Sequence, residues 1–174
     1  MTAIALLLQE LEQEAQTTRR VLERVPDDRL DWKPHAKSMT LGQLAMHIAT
    51  VPGGVADMST KSPYQVPEFT QPSAKSAAEL LTALEQSVAM AKQRLGGLSD
   101  ATLAEPWRLM HGDREVMTMP RGALLRSIML NHWYHHRGQL SVYLRQLGVP
   151  VPSIYGPSAD ENPFAVERRE AVAR

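Results

Sequence analysis

Three of the chain's six histidines fall within residues 132–136, in the stretch NHWYHHRGQL. His132 and His136 are one helical turn apart, so on a helix both rings share a face and can grip one ion. The alternative is a pair of core histidines held by ordinary protein groups, and two buried imidazoles then need two sets of partners. Two histidines rarely hold a metal alone, so a third ligand is required. His47 is the candidate: in LAMHIA it sits at the edge of an apolar helix face, one position before Ile48. His35 and His111 lie in loops and are read as solvated, while His135 falls on the flank of its helix.

Three neutral imidazoles with no fourth protein ligand leave an open coordination position, the pattern of a catalytic ion. Such an ion lowers the pKa of a bound water or thiol. The chain has no cysteine, so a thiol would have to arrive as a cosubstrate. Zinc suits the donor set best, and imidazole also accepts nickel, iron and copper.

Amphipathic helices must position these rings. Ile4, Leu7, Leu11, Ala15, Thr18, Leu22 and Val25 recur at helical spacing, so residues 3–25 read as a first helix closed by Pro26. A second begins at the capping box Thr40 to Gln43 and is expected to end or kink at Pro52-Gly53-Gly54. Residues 59–73, with three prolines, read as a long irregular crossover. A third helix opens at a second capping box, Ser76 to Glu79, and stops at Gly96-Gly97. Trp107–Met110 and Glu115–Met119 read as a short hairpin. A fourth helix runs from Pro120 to about Leu147, with Leu125, Met129, His132, His136, Leu140, Tyr143 and Leu147 on its inward arc. The expected fold is all-α: a four-helix bundle with a long crossover loop and a short hairpin before the last long helix. Residues 1–174 are expected to form one domain, with an irregular tail from about 148 to 174 that ends in a short helix, ERREAVAR.

Composition narrows the function. The 174 residues are 43% hydrophobic and 22% charged, with a formal net charge of zero, so no basic field attracts nucleic acid. Disulfides, iron–sulfur clusters and cysteine zinc sites are excluded. The early apolar run Ile4–Leu8 is too short to span a bilayer, and no signal peptide is read, so a cytoplasmic location is expected.

HWYHHRGQLSVYLRQLG resembles the last helix of the DinB/YfiT-like superfamily, and SMTLGQLAMHIA resembles its second helix. LDWKP and the order of helices around the crossover also fit, and the likeness spans about residues 3–150. The resemblance implies a bundle, usually dimeric, with a divalent ion on His47, His132 and His136. It also implies thiol-dependent transfer chemistry, in which the ion activates a low-molecular-weight thiol. YGPSADEN, residues 155–162, is similar to tails in part of the family and carries no transferable role.

The first functional expectation is therefore a metal-dependent thiol S-transferase acting on a small electrophile in detoxification or stress response. No residue stands out as a general base for it. The second is a metal-dependent hydrolase with Asp160 or Glu161 as base, should the tail close over the site; otherwise these acids are solvated charges. The third is a stress-induced metal- or ligand-binding bundle without turnover. A homodimer, a small-molecule substrate, and no nucleic-acid or membrane partner complete the expectations. Arg137 is read as an ion-pair partner, Gly138 as a place of close helix approach, and Trp32, Trp107 and Trp133 as packing residues.

Overall fold

A computed structural model describes residues 1–68 and 70–165; the expected helix at ERREAVAR lies outside the described residues. Helix α1, Ala3–Leu22, starts where Thr2 accepts the Ala5 N–H. It ends three residues before the expected stop at Val25, ahead of Pro26. Asp100, far along the chain, accepts two further first-turn N–H groups, from Ala3 and Ile4. Helix α2, Leu41–Ser59, opens on the complete capping box between Thr40 and Gln43. Helix α3, Ala77–Gly96, has only half of its expected box: Ser76 accepts from Glu79, whereas the Glu79 carboxylate takes the N–H of Lys75.

Pro52 does not end α2, which continues to Ser59. A proline inside a helix removes one N–H and leaves the carbonyl four residues earlier without its partner. That carbonyl belongs to Ile48, and it accepts the indole N–H of Trp133 at 2.8 Å. The next N–H, of Gly53, donates to Ser87 Oγ of α3 at 2.8 Å. Partners from two neighbouring helices thus keep the helix running. Gly53 is also the point of close approach: a Cβ there would lie 2.7 Å from the Ser87 carbonyl. Gly138 has no such neighbour within 4 Å, so the close approach expected there is not found.

A short helix α4, Asp100–Ala104, leads into the expected hairpin, strands β2 (Pro106–His111) and β3 (Arg114–Pro120), which turns at Gly112 with φ 60°. The crossover contributes strand β1, Tyr64–Gln65, which pairs parallel with β2. This three-stranded sheet, ordered β1-β2-β3, corrects the all-α expectation; the chain is mostly helical with a small mixed sheet. Two-residue β1 carries too little pattern to be visible in sequence. The Trp107 indole, 1% exposed, donates to the Met58 and Lys61 carbonyls and ties the sheet to the end of α2.

The last long helical stretch has three parts: α5 (Arg121–Leu124), a π-helical segment (Leu125–Asn131) and α6 (His132–Gln146). The π turn feeds directly into α6, where the His132 N–H reaches back to the Ser127 carbonyl. Helix α3 packs on α1 and α2, and α6 packs on α1 and α2 as well, with the leucine-rich core among them. No helix among the described residues is long and apolar enough to cross a membrane.

Candidate metal centre

Helices α2 and α6 bring His47, His132 and His136 together, with one ring nitrogen from each lying within 4.8 Å of the others. The ring centroids are 4.3 Å apart for His132 and His136, 4.7 Å for His47 and His136, and 5.3 Å for His47 and His132. Each pair is nearly perpendicular, at 86–89°, in edge-to-face contact. His47 Nε2 and His132 Nε2 are 3.1 Å apart. With one proton between them this contact is a hydrogen bond. With both nitrogens bare it is the separation of two ligands on one ion, about 3 Å for metal–nitrogen bonds of about 2.0–2.1 Å. The donor set and its spacing therefore fit a divalent cation.

The cluster lies at the rim of the core. His136 is 9% exposed, while His47 and His132 are half-buried. The buried face of α6 is centred on Trp133, Arg137, Leu140 and Leu144, not on the histidines. This corrects the inward arc read from sequence: Tyr143 and Leu147 are only half-buried, and His132 sits at the arc's edge. The reason is Arg137, the expected ion-pair partner, which is 1% exposed and neutralised by Glu14. At this rim His47 and His132 each keep part of their surface exposed.

Gln139, one turn after His136, bonds His136 Nδ1 through its Oε1 at 2.7 Å. An amide oxygen only accepts, so this bond places the His136 proton on Nδ1 and leaves Nε2 bare, free to serve as a ligand. Sequence reasoning missed this role, although the i, i+3 spacing within HRGQ signals it. Replacing Gln139 with alanine is expected to weaken metal affinity about 10- to 100-fold, the usual effect of losing such an orienting partner, as read by competitive titration with a chromophoric chelator.

All three imidazoles are held below the ordinary histidine value. Burial is the main cause for His47, depressed to about 4, with the neighbouring His136 and His132 rings adding to it. Burial also lowers His132, followed by His136 and His135. For His136, burial outweighs the opposing effect of the Gln139 bond. Neutral rings are what a cation requires. Below pH 6.5 the unfolded chain protonates these histidines while the folded chain resists. Stability of metal-free protein is thus complete above pH 6.5 and declines as the pH falls towards about 4, the depressed His47 value. Urea midpoints measured across that interval should fall, and a flat series contradicts the burial of neutral rings.

His35 and His111 are exposed, as read, but His111 is the last residue of β2, paired with Arg114, rather than a loop residue. His135 is exposed, with its ring centroid 5.1 Å from that of His136. Trp107 and Trp133 are core residues, whereas Trp32 is half-buried against the edge of Tyr143. Asp160 is paired with Arg145 and accepts the Val151 N–H. Glu161 binds Arg24 and the Ser153 N–H. Both acids thus fasten the tail rather than standing free in solvent.

Residues 1–169 match the model of the DinB family. The chain is 32% identical over 156 residues to the uncharacterized protein YrdA of Bacillus subtilis (strain 168), which covers 88% of this chain and 89% of that protein. Among solved structures it is similar to a DinB-like protein from Bacillus cereus ATCC 10987, with a TM-score of 0.67, 26% identity and coverage of 86% of this chain and 95% of that one. The DinB-like protein YjoA of Bacillus subtilis gives a TM-score of 0.63 over 85% of this chain and 96% of its own, at 21% identity, a likeness of fold alone.

Proposed function

The chain belongs to the DinB family, and we propose that it is a divalent-metal-dependent enzyme that transfers a small thiol to an electrophile. The observation that carries this reading is the convergence of three imidazole nitrogens from two helices at the partly exposed rim of the core. Bound there, the ion would supply Lewis acidity, lowering the proton affinity of a coordinated thiol. The chain supplies three neutral donors, so the ion's charge is not offset and favours an anionic sulfur. Gln139 holds the His136 tautomer. Zinc is the ion this donor set suits best, ahead of nickel or iron.

Thiol transfer is preferred over hydrolysis for a specific reason. The convergent group contains no carboxylate, and the acids considered as bases for water, Asp160 and Glu161, are committed to Arg145, Arg24 and backbone N–H groups. A thiol acidified by an ion needs no base, whereas a water nucleophile generally profits from one. The reading includes a bundle of four long helical stretches, a homodimer, and action in the cytoplasm, where small thiols are kept reduced.

The test is to load purified protein with cobalt(II) and titrate glutathione and cysteine separately. A sulfur-to-cobalt charge-transfer band, together with conjugation to a model electrophile that stops when the metal is stripped, is the expected result. Cobalt uptake with no thiol band and no conjugation refutes thiol transfer and leaves a metal-binding protein. No uptake at all refutes the metal site.

A further inference from the structure

Trp133 follows the ligand His132 directly in α6, and Ile48 follows the ligand His47 directly in α2. The bond from Trp133 Nε1 to the Ile48 carbonyl, 2.8 Å long, therefore joins the two histidine-bearing helices at the level of the cluster. It is a bond an ordinary helix would not offer so readily, because the Ile48 carbonyl would be taken by the N–H of residue 52. Residue 52 is proline, which has no N–H and whose ring crowds that carbonyl. Both ends are sealed from water: Trp133 and Ile48 are each 0% exposed. A buried carbonyl without a partner is costly, so the indole and the carbonyl hold each other in place.

We propose that Trp133 is a positioning residue for the metal centre, with Pro52 freeing the Ile48 carbonyl so that the Trp133 indole can fix the separation of the helices bearing His47 and His132. The inference rests on the metal reading above for its purpose, but the clamp itself can be tested without metal. A cluster whose nitrogens must sit about 3 Å apart tolerates little relative sliding of α2 and α6. Trp133→Phe keeps most of the ring and removes the N–H. Pro52→Ala returns an N–H that competes for the same carbonyl.

The experiment uses the full chain as wild type, Trp133→Phe, Pro52→Ala and the double variant. In metal-free protein, urea unfolding should show that Trp133→Phe destabilises less in the Pro52→Ala background than in wild type, since the carbonyl then has another partner. With cobalt(II), Trp133→Phe should lower affinity about 10- to 100-fold and shift the visible d–d bands of the bound ion, which a loss of general stability would not do. Additive effects of the two substitutions, or an unchanged cobalt spectrum and affinity in Trp133→Phe, overturn the proposal. If wild type takes up no cobalt, the metal reading fails by itself and the metal-free cycle alone decides the clamp. Should Trp133→Phe fail to fold, the indole N–H is followed by NMR in wild type and Pro52→Ala. Strong protection from exchange that is reduced by Pro52→Ala supports the clamp, and rapid exchange in wild type rejects it.

Discussion

Replacing His132 with alanine is expected to leave purified protein essentially metal-free, where wild type carries close to one divalent ion per chain. Two imidazoles remain, and two rarely retain a transition metal against buffer and chelators. The same outcome is expected for His47→Ala and His136→Ala, because each supplies one of the three converging nitrogens. Elemental analysis after dialysis against a weak chelator checks it. The stability signature is sharper than metal content alone. An ion that binds only the folded chain adds about 2.7 kcal/mol when its concentration is a hundred times its dissociation constant. Wild type should therefore melt higher when zinc is added, and His132→Ala should not. In the absence of metal the sign reverses below pH 6.5. There the intact cluster carries buried rings that resist protonation, and the alanine variant has one fewer. Thermal melts at pH 5 and pH 7.5, with and without zinc, separate these effects; equal zinc shifts in wild type and variant reject the site.

The three rings were legible because their signal is local. The i, i+4 pair His132 and His136 and the capped helix carrying His47 need only helical geometry to be read. What escaped was set by distant partners. Pro52 reads as a stop, and it is one unless Trp133 and Ser87, remote in sequence, satisfy the groups it disturbs. The π segment Leu125–Asn131 has no breaker residue to mark it. It lies immediately upstream of His132, one of the three converging histidines, and π turns are frequent at functional sites. Arg137 reads as an ion-pair partner, which it is, but its acid, Glu14, could not be named because it sits on another helix. The hairpin at Gly112 was readable, since turn residues and flanking strands are contiguous; the pairing of β1 with it was not.

Loss of the Arg137 charge is the second large effect expected. Arg137 Nη2 lies 2.6 Å from Glu14 Oε2, with the two side chains 1% and 9% exposed. Its Nη1 also donates to Thr18 Oγ1 and to the Glu14 carbonyl, while the Tyr155 hydroxyl bridges both partners. The guanidinium lies 5.3 Å from the Tyr134 ring centroid and 5.1 Å from that of Tyr155, within cation–π range. Removing one member of a buried pair strands the other, which costs about 3–5 kcal/mol. Arg137→Leu should accordingly lower the melting temperature by on the order of 10 °C for a chain of this length. Replacing both partners is a different matter, because an apolar pair of similar volume has no charge to strand. Glu14→Leu/Arg137→Leu is thus expected to recover most of the loss. The network joins α1, α6 and the tail but contributes no nitrogen to the histidine cluster. Its variants should therefore lose stability while those that fold still bind one ion per chain. Denaturation of the single and double variants at pH 7.5 measures this directly. A loss below about 1 kcal/mol for Arg137→Leu would mean that Glu14 escapes to water when its partner goes.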